Sequence, residues 1–253
     1  VDPGATGRII VYHKGDMYTE YPVSGSIKQL VESVWSVRSE SEIDSYPVFP
    51  DACADLIYSP SDGLQVVGTM TKAKRFHLSA GAEVIGIRFQ PGIASGIFSI
   101  PLHELTDKII SFGDLSPVEA RIMTEQVIEK RTPWERLVVL MNGLQLHSKK
   151  ISPLQSVFNL MVDCHGQVSL EMIARSAGLS LRQFRRRCME ATGVSPKLLC
   201  RILRFRDAVS KLSHEKGAEI AAAFGYYDQA HWIAEFREFT GITPGLYLAN
   251  KTL

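Results

Sequence analysis

Along residues 180–196 and again along 228–244 the apolar positions fall at matching places, 48 residues apart. In the first stretch Leu181, Phe184, Cys188 and Ala191 recur at helical spacing, and in the second Trp232, Phe236 and Phe239 do the same. Each stretch opens on a residue whose side chain can accept from free first-turn amides, Ser180 or Asp228. Gln183, three residues after Ser180, completes a capping box. Gly193 and Gly241 supply the left-handed stop, and Pro196 and Pro244 follow. A shorter helical pattern precedes each, Ile173-Ala174 running into Gly178 and Ile220-Ala221 into Gly225. Helix, tight glycine turn, helix, used twice, is the helix-turn-helix pattern in duplicate.

The first half alternates instead. Short apolar runs at residues 8–13, 30–37, 46–49, 54–58, 64–70, 75–79 and 83–90 are broken by turn residues such as Pro60-Ser61-Asp62-Gly63. Short, closely spaced strands predict a sandwich or small barrel. In 83–90, Ile85, Ile87 and Phe89 point one way, and Val84, Gly86, Arg88 and Gln90 the other. Helical signals then return: Pro91-Gly92 opens a segment to Phe98, and Ser116-Pro117 with Glu119 and Thr132-Pro133 with Glu135 are two further capping boxes. Leu137, Val138, Leu140, Met141 and Leu144 stripe the last of these. The fold class expected is therefore α+β in two domains. Residues 1–147 form a β-sandwich with trailing helices, 148–152 a linker, and 153–253 an all-α domain of two helix-turn-helix units joined by a long helix.

The outward faces of the two repeated helices differ. Arg182, Arg185, Arg186 and Met189 lie opposite the apolar face of the first, with Arg187 on the flank. Three arginines on the exposed stripe of a second helix suit the major groove, where guanidinium pairs with guanine or grips phosphate. The second helix offers Ala230, Ile233, Ala234 and Arg237, flanked by His231, Glu235 and Glu238. The two carboxylates would repel phosphates, so the first motif is expected to dominate recognition. The DNA-facing set is then Ser180, Leu181, Arg182, Gln183, Arg185, Arg186 and Arg187, with Gln229, Ala230, His231, Ile233, Ala234 and Arg237 from the second motif.

Composition changes this picture only through distribution. The net charge of the 253 residues is +1, but from residue 151 onward thirteen Lys and Arg face nine Asp and Glu. Eleven of those cations fall between Arg175 and Lys216, a local basic excess of the kind that marks a nucleic-acid partner. The four cysteines, Cys53, Cys164, Cys188 and Cys200, form no C-x-x-C pair, which speaks against zinc and redox motifs and fits a reducing compartment. No apolar signal core opens the sequence, and no run approaches the ~18 residues that span a bilayer. A cytoplasmic location with no membrane partner is expected.

Residues from about 154 to 247 resemble the DNA-binding domain of the AraC/XylS family of bacterial transcription regulators. The resemblance is carried by Ile173-Ala174, Gly178-Leu179-Ser180, Phe184, Gly193-Val194-Ser195-Pro196, Leu203-Arg204 and Ala208. It continues through Ile220-Ala221, Phe224-Gly225-Tyr226, Asp228-Gln229, Phe236 and Phe239-Thr240-Gly241-Ile242-Thr243-Pro244. It implies two recognition helices entering successive major grooves on one face of DNA. Pro50-Asp51-Ala52-Cys53-Ala54-Asp55-Leu56-Ile57, Val84 to Gly92, and Leu102 with Leu105-Thr106-Asp107 resemble an N-terminal domain carried by some such regulators. That domain is cupin-like and, by analogy, senses a small molecule or mediates dimer contact. The candidate effector groups are Trp35, Tyr58, Arg75, His77 and Arg88; for Arg88 an ion pair with Asp51 or Asp55 is the favoured alternative. The apolar residues Ile122, Met123 and Val127 serve either a homodimer or a cover for the sandwich. The protein expected is a transcription activator that binds double-stranded DNA, contacts RNA polymerase, and has no catalytic residue, metal or cofactor.

Two other classes are weaker. An alkyl-transfer repair regulator needs several N-terminal thiolates at metal spacing, and Cys53 stands alone before the linker. A cupin-type metalloenzyme fused to a DNA-binding tail needs clustered His and Glu, whereas His13, His77 and His103 are isolated.

Overall fold

A computed structural model of the protein describes residues 8–10, 16–146, 152–213 and 215–252. The linker expected at 148–152 lies outside the described residues except for Ser152. The first half is an antiparallel sheet assembly. Its strands are β1 (Arg8–Ile10), β2 (Asp16–Tyr21), β3 (Val31–Ser39), β4 (Ile43–Val48), β5 (Ala54–Ser59), β6 (Gly63–Val67), β7 (Lys74–Leu78), β8 (Glu83–Phe89) and β9 (Ile109–Ser111). Seven pair in the order β1-β2-β3-β8-β5-β6-β9, and β4 pairs with β7 in a small second sheet. Strands β2 and β9 were not expected from the pattern, because Asp16–Tyr21 has its polar residues at 16, 19 and 20 and so does not alternate, and Ile109–Ser111 is only three residues long.

The register explains the two faces. Val34, Ile87 and Leu56 stand side by side across β3, β8 and β5, as do Trp35, Gly86 and Ile57 on the opposite face. The first row belongs to a core shared with α1 (Ala94–Phe98), α2 (Pro117–Ile128) and α3 (Pro133–Gly143). The second row packs against β4 and β7 through Tyr18, Val37, Tyr46 and Leu78. A Cβ at position 86 would lie 2.3 Å from the Trp35 ring, so the glycine is what lets the indole lie flat across the sheet. Of the two boxes expected here, that of Thr132 and Glu135 is closed, while Ser116 makes no side-chain cap bond and α2 starts on Pro117 alone. Met123 and Val127 are buried over the sheet, and Ile122 is exposed.

The second half is helical: α4 (Gln155–Asp163), α5 (Leu170–Ser176), α6 (Leu181–Thr192), α7 (Pro196–Lys211), α8 (Gly217–Ala223), α9 (Gln229–Thr240) and α10 (Pro244–Thr252). Phe158, Phe184, Phe205, Trp232, Phe236 and Phe239 are at most 2 % exposed and form one core around α7. The expected α+β class and the paired helix-turn-helix layout, α5–α6 and α8–α9 joined by α7, are what the coordinates show.

Candidate nucleic-acid interface

Helix α6 starts on a closed capping box: Gln183 N–H donates to Ser180 Oγ at 3.3 Å, and Ser180 N–H donates to Gln183 Oε1 at 2.9 Å. Gly193 ends it with φ at +80°. Phe184 and Cys188 are fully buried beneath it. Burial pushes the Cys188 thiol up to about 12, against the smaller opposing effect of its Thr192 contact, so it is a neutral packing group. Arg182, Arg185, Arg186 and Arg187 are all exposed, the Arg186 side chain by 70 %. The placement of Leu181 needs correction. Expected on the core face, it is 44 % exposed. It lies instead beside Arg182 and Gln183, both exposed, at the free end of the helix.

Helix α9 repeats the design with Asp228 as cap, its Oδ1 accepting from His231 N–H at 2.8 Å. Trp232, Phe236 and Phe239 are buried; Gln229, Ala230, His231, Ala234 and Arg237 are exposed, and Ile233 is half-buried against the core. The largest departure is Glu235. Expected on the flank facing phosphates, it is only 4 % exposed. Its carboxylate accepts from Arg201 Nε at 2.8 Å and from Arg204 Nη2 at 3.3 Å. Glu238 accepts from Arg201 Nη2 at 2.6 Å. Helix α7 runs along this flank of α9, so its guanidiniums neutralise carboxylates that a helical wheel places outward. Arg201 also lies 5.1 Å from the Phe239 ring centroid and Arg204 4.5 Å from that of Tyr226. Arg201 is thus committed inside the fold.

One residue escaped the sequence pattern. Tyr227, just before the Asp228 cap, is 92 % exposed, and its N–H donates to His231 Nδ1 at 3.3 Å. Its only signal in sequence is an aromatic residue in the turn between Gly225 and Asp228.

The effector candidates are not gathered into one site. Trp35 and Arg88 share the sheet face toward β4 and β7, through the pairs Ser33 with Arg88 and Trp35 with Gly86. Arg88 is held by Asp51 at 2.9 Å and Asp55 at 3.3 Å, the ion pair weighed as the alternative. Tyr58 is in the opposite core, with α1–α3. Arg75 and His77 are exposed on β7; Arg75 donates to Ser45 Oγ, and the His77 ring lies 3.8 Å from Glu42 and 3.6 Å from Asp44. A separate cleft of about 350 Å³ lies between His103 of the first half and Arg182, Arg185, Arg186, Met189 and Glu190 of α6. Among the described residues no helix is long and apolar enough to cross a membrane.

Comparison with known proteins places two modules on the chain. Residues 173–250 match a helix-turn-helix domain, and residues 19–111 match a domain of unknown function, DUF6597. No curated protein matches. Solved structures similar to the chain include the C-terminal domain of AraT, a response regulator from Geobacillus stearothermophilus. It is 22 % identical, with a TM-score of 0.35 over 38 % of this chain and 84 % of that one. ToxT from Vibrio cholerae O395 is 14 % identical, with a TM-score of 0.45 over 87 % of this chain and 96 % of that one. Wild-type ToxT of strain SCE256 with bound unsaturated fatty acid is 12 % identical, with a TM-score of 0.41 over 86 % and 94 %. Two capped helix-turn-helix units stand on one long helix and the family model lies across both, so residues 173–250 form a helix-turn-helix domain of the DNA-binding kind.

Proposed function

We propose that the protein recognises specific duplex sequence chiefly through α6, with α9 as a weaker second reader, residues 153–253 forming the DNA-binding domain and 1–147 a sensing or oligomerising one. The observation that carries this is the division of α6: Phe184 and Cys188 fully buried on one side, four arginines exposed on the other. Guanidiniums so placed can pair bidentately with guanine or bind phosphate, and the free amides at the start of the helix favour an anion. On α9 the exposed groups are Gln229, Ala230, His231, Ala234 and Arg237, which offer apolar contact and few donors.

The test is titration of a duplex selected from a random-sequence pool, at several salt concentrations. Affinity should fall steeply with salt as counterions are released. Arg185→Ala or Arg186→Ala should cost ~1–3 kcal/mol if either reads a base. Unchanged affinity in both variants contradicts the assignment.

Two further roles belong to the first half. The buried indole N–H of Trp35 and the hydroxyl of Ser33 lack hydrogen-bond partners among the described residues, on the sheet face that also bears Arg88. Unpaired buried polar groups favour a small polar effector between the two sheets; calorimetric screening in which Ser33→Ala fails to alter any binding event would oppose this. Val118, Ile122 and Ile128 are exposed on α2 at 59 %, 42 % and 64 %, which supports a homodimer through that helix. Ile122→Glu should then lower the mass seen in sedimentation, and a monomer mass in the parent at every concentration removes the idea. Activation and contact with RNA polymerase are supported by the family resemblance.

A further inference from the structure

The first half grips both recognition helices at corresponding ends. Thr106 Oγ1 donates to the Gly193 carbonyl at 2.6 Å, where α6 stops. Ala73 N–H donates to the Phe239 carbonyl at 2.7 Å, one turn or less from where α9 stops. Gly193 is also approached by backbone: a Cβ there would lie 2.9 Å from Thr106 Oγ1 and 3.2 Å from the Leu102 carbonyl oxygen. Between these grips a third element enters the helical core. Ala52, in the left-handed region at φ +70°, is 1 % exposed and packs within the core of the second half. The neighbouring Phe49 ring sits 6.4 Å from Phe205, 6.3 Å from Phe236 and 5.4 Å from Tyr247, against α7, α9 and α10 together.

The gripping loops are tied to one another. Asp107, next to Thr106, accepts from Thr71 N–H at 2.8 Å and from Thr71 Oγ1 at 2.6 Å, and Lys74 Nζ donates to its carbonyl, so both grips move as one piece. The plug is anchored too: Cys53 N–H donates to Asp51 Oδ1 at 2.9 Å, and Asp51 holds Arg88 of β8. The two hydrogen bonds sit at the trailing ends, while at the leading ends Leu181 is 44 % and Tyr227 92 % exposed, and His103 faces Arg182, Arg185 and Arg186 across the cleft. In helix-turn-helix proteins it is the N-terminal residues of the recognition helix that meet base edges.

We infer that residues 49–53, 71–74 and 102–107 form an intramolecular bracket whose partner is the chain's own helix-turn-helix pair. By holding α6 and α9 at their rear ends it fixes the angle and spacing at which the two helices meet successive grooves. The two hooks otherwise join through α7, and a second support that touches both removes the freedom a single joint leaves. Pre-organisation of this kind strengthens binding by lowering the ordering cost at the moment of contact. All three segments lie within residues 19–111, which assigns a task to that domain of unknown function. The inference rests on α6 and α9 being the duplex-facing helices.

The experiment uses the full chain and a duplex selected from a random pool, with a second duplex carrying one base pair inserted between the two contacted half-sites. Thr106→Val removes one donor at nearly constant shape; Phe49→Ala withdraws the plug. Thr106→Val should weaken binding to the selected duplex by about five-fold, the worth of one net hydrogen bond, and Phe49→Ala should weaken it by at least as much. Each should also shrink the penalty that the inserted base pair imposes on the parent protein, which a simple loss of stability would not do. Equal or tighter binding by Thr106→Val, with an unchanged insertion penalty, overturns the bracket, and tighter binding shows that the first half restrains DNA entry. Arg185→Ala runs alongside: if it binds as well as the parent, the assignment of α6 itself is overturned, a failure distinguishable from the other.

Discussion

Replacing Glu235 by alanine tests the most consequential side-chain placement in the helical half. The carboxylate is 4 % exposed and serves two guanidiniums, Arg201 at 2.8 Å and Arg204 at 3.3 Å. Its removal leaves Arg201 with Glu238 and Arg204 over the Tyr226 ring, with the Arg204 Nε buried and without a hydrogen-bond partner among the described residues. Breaking a buried pair by deleting one partner costs ~3–5 kcal/mol, since the other charge stays desolvated. For a chain of about 250 residues each ~1 kcal/mol shifts the melting temperature by ~2–4 °C, so a drop of at least ~6 °C is expected. Glu238→Ala is the control: with its side chain 54 % exposed, its pair with Arg201 should contribute less than ~1 kcal/mol. The assay is thermal or urea unfolding of both variants, followed by duplex titration below the transition. A Glu235 that faced phosphate would, on becoming alanine, raise duplex affinity with little loss of stability. That outcome, or a melting shift no larger than for Glu238→Ala, would refute the buried-bridge account.

Other expectations follow from the same geometry. Burial lifts the Asp55 carboxyl from its ordinary 3.8 to about 6 despite the opposing pull of Arg88, with Asp51 and Glu32 adding to the rise. A folded value above the unfolded one means stability that is full below about pH 4 and lost as pH climbs through 6, at most ~3 kcal/mol. Urea midpoints of the parent and Asp55→Asn between pH 4.5 and 7.5 should therefore diverge in shape, and parallel curves would contradict the shift. Tyr227→Ala should weaken duplex binding several-fold while leaving the melting temperature within the range of ordinary surface changes, ~0.5 kcal/mol; unaltered binding removes Tyr227 from the interface. Ala234→Arg should add a cation to the exposed face of α9 and steepen the logarithmic salt dependence of binding by about one; an unchanged slope would mean that α9 does not approach phosphate.

What the chain reveals without coordinates is whatever is settled within a helical turn or a strand pair. The caps at Ser180, Thr132 and Asp228, the left-handed stops at Gly193 and Gly241, and the buried stripe of Trp232, Phe236 and Phe239 depend on neighbours three or four residues away. So does the exposure of the four arginines of α6, because the opposite stripe must be the buried one. The alternation of Ile85, Ile87 and Phe89 against Arg88 fixed the two sheet faces for the same reason. Only the packing of distant segments decided the rest. Glu235 is sheltered because α7 brings Arg201 and Arg204, 34 and 31 residues earlier, against its flank. Tyr58 and Trp35 part company because β5 and β3, on either side of β8, turn them to opposite sides of one sheet. The seat of Ala52 and Phe49 among α7, α9 and α10 joins residues more than 150 positions apart, and no periodicity encodes such a contact. A local pattern specifies which face a residue takes on its own element; which surface that face then meets is a property of the assembled chain.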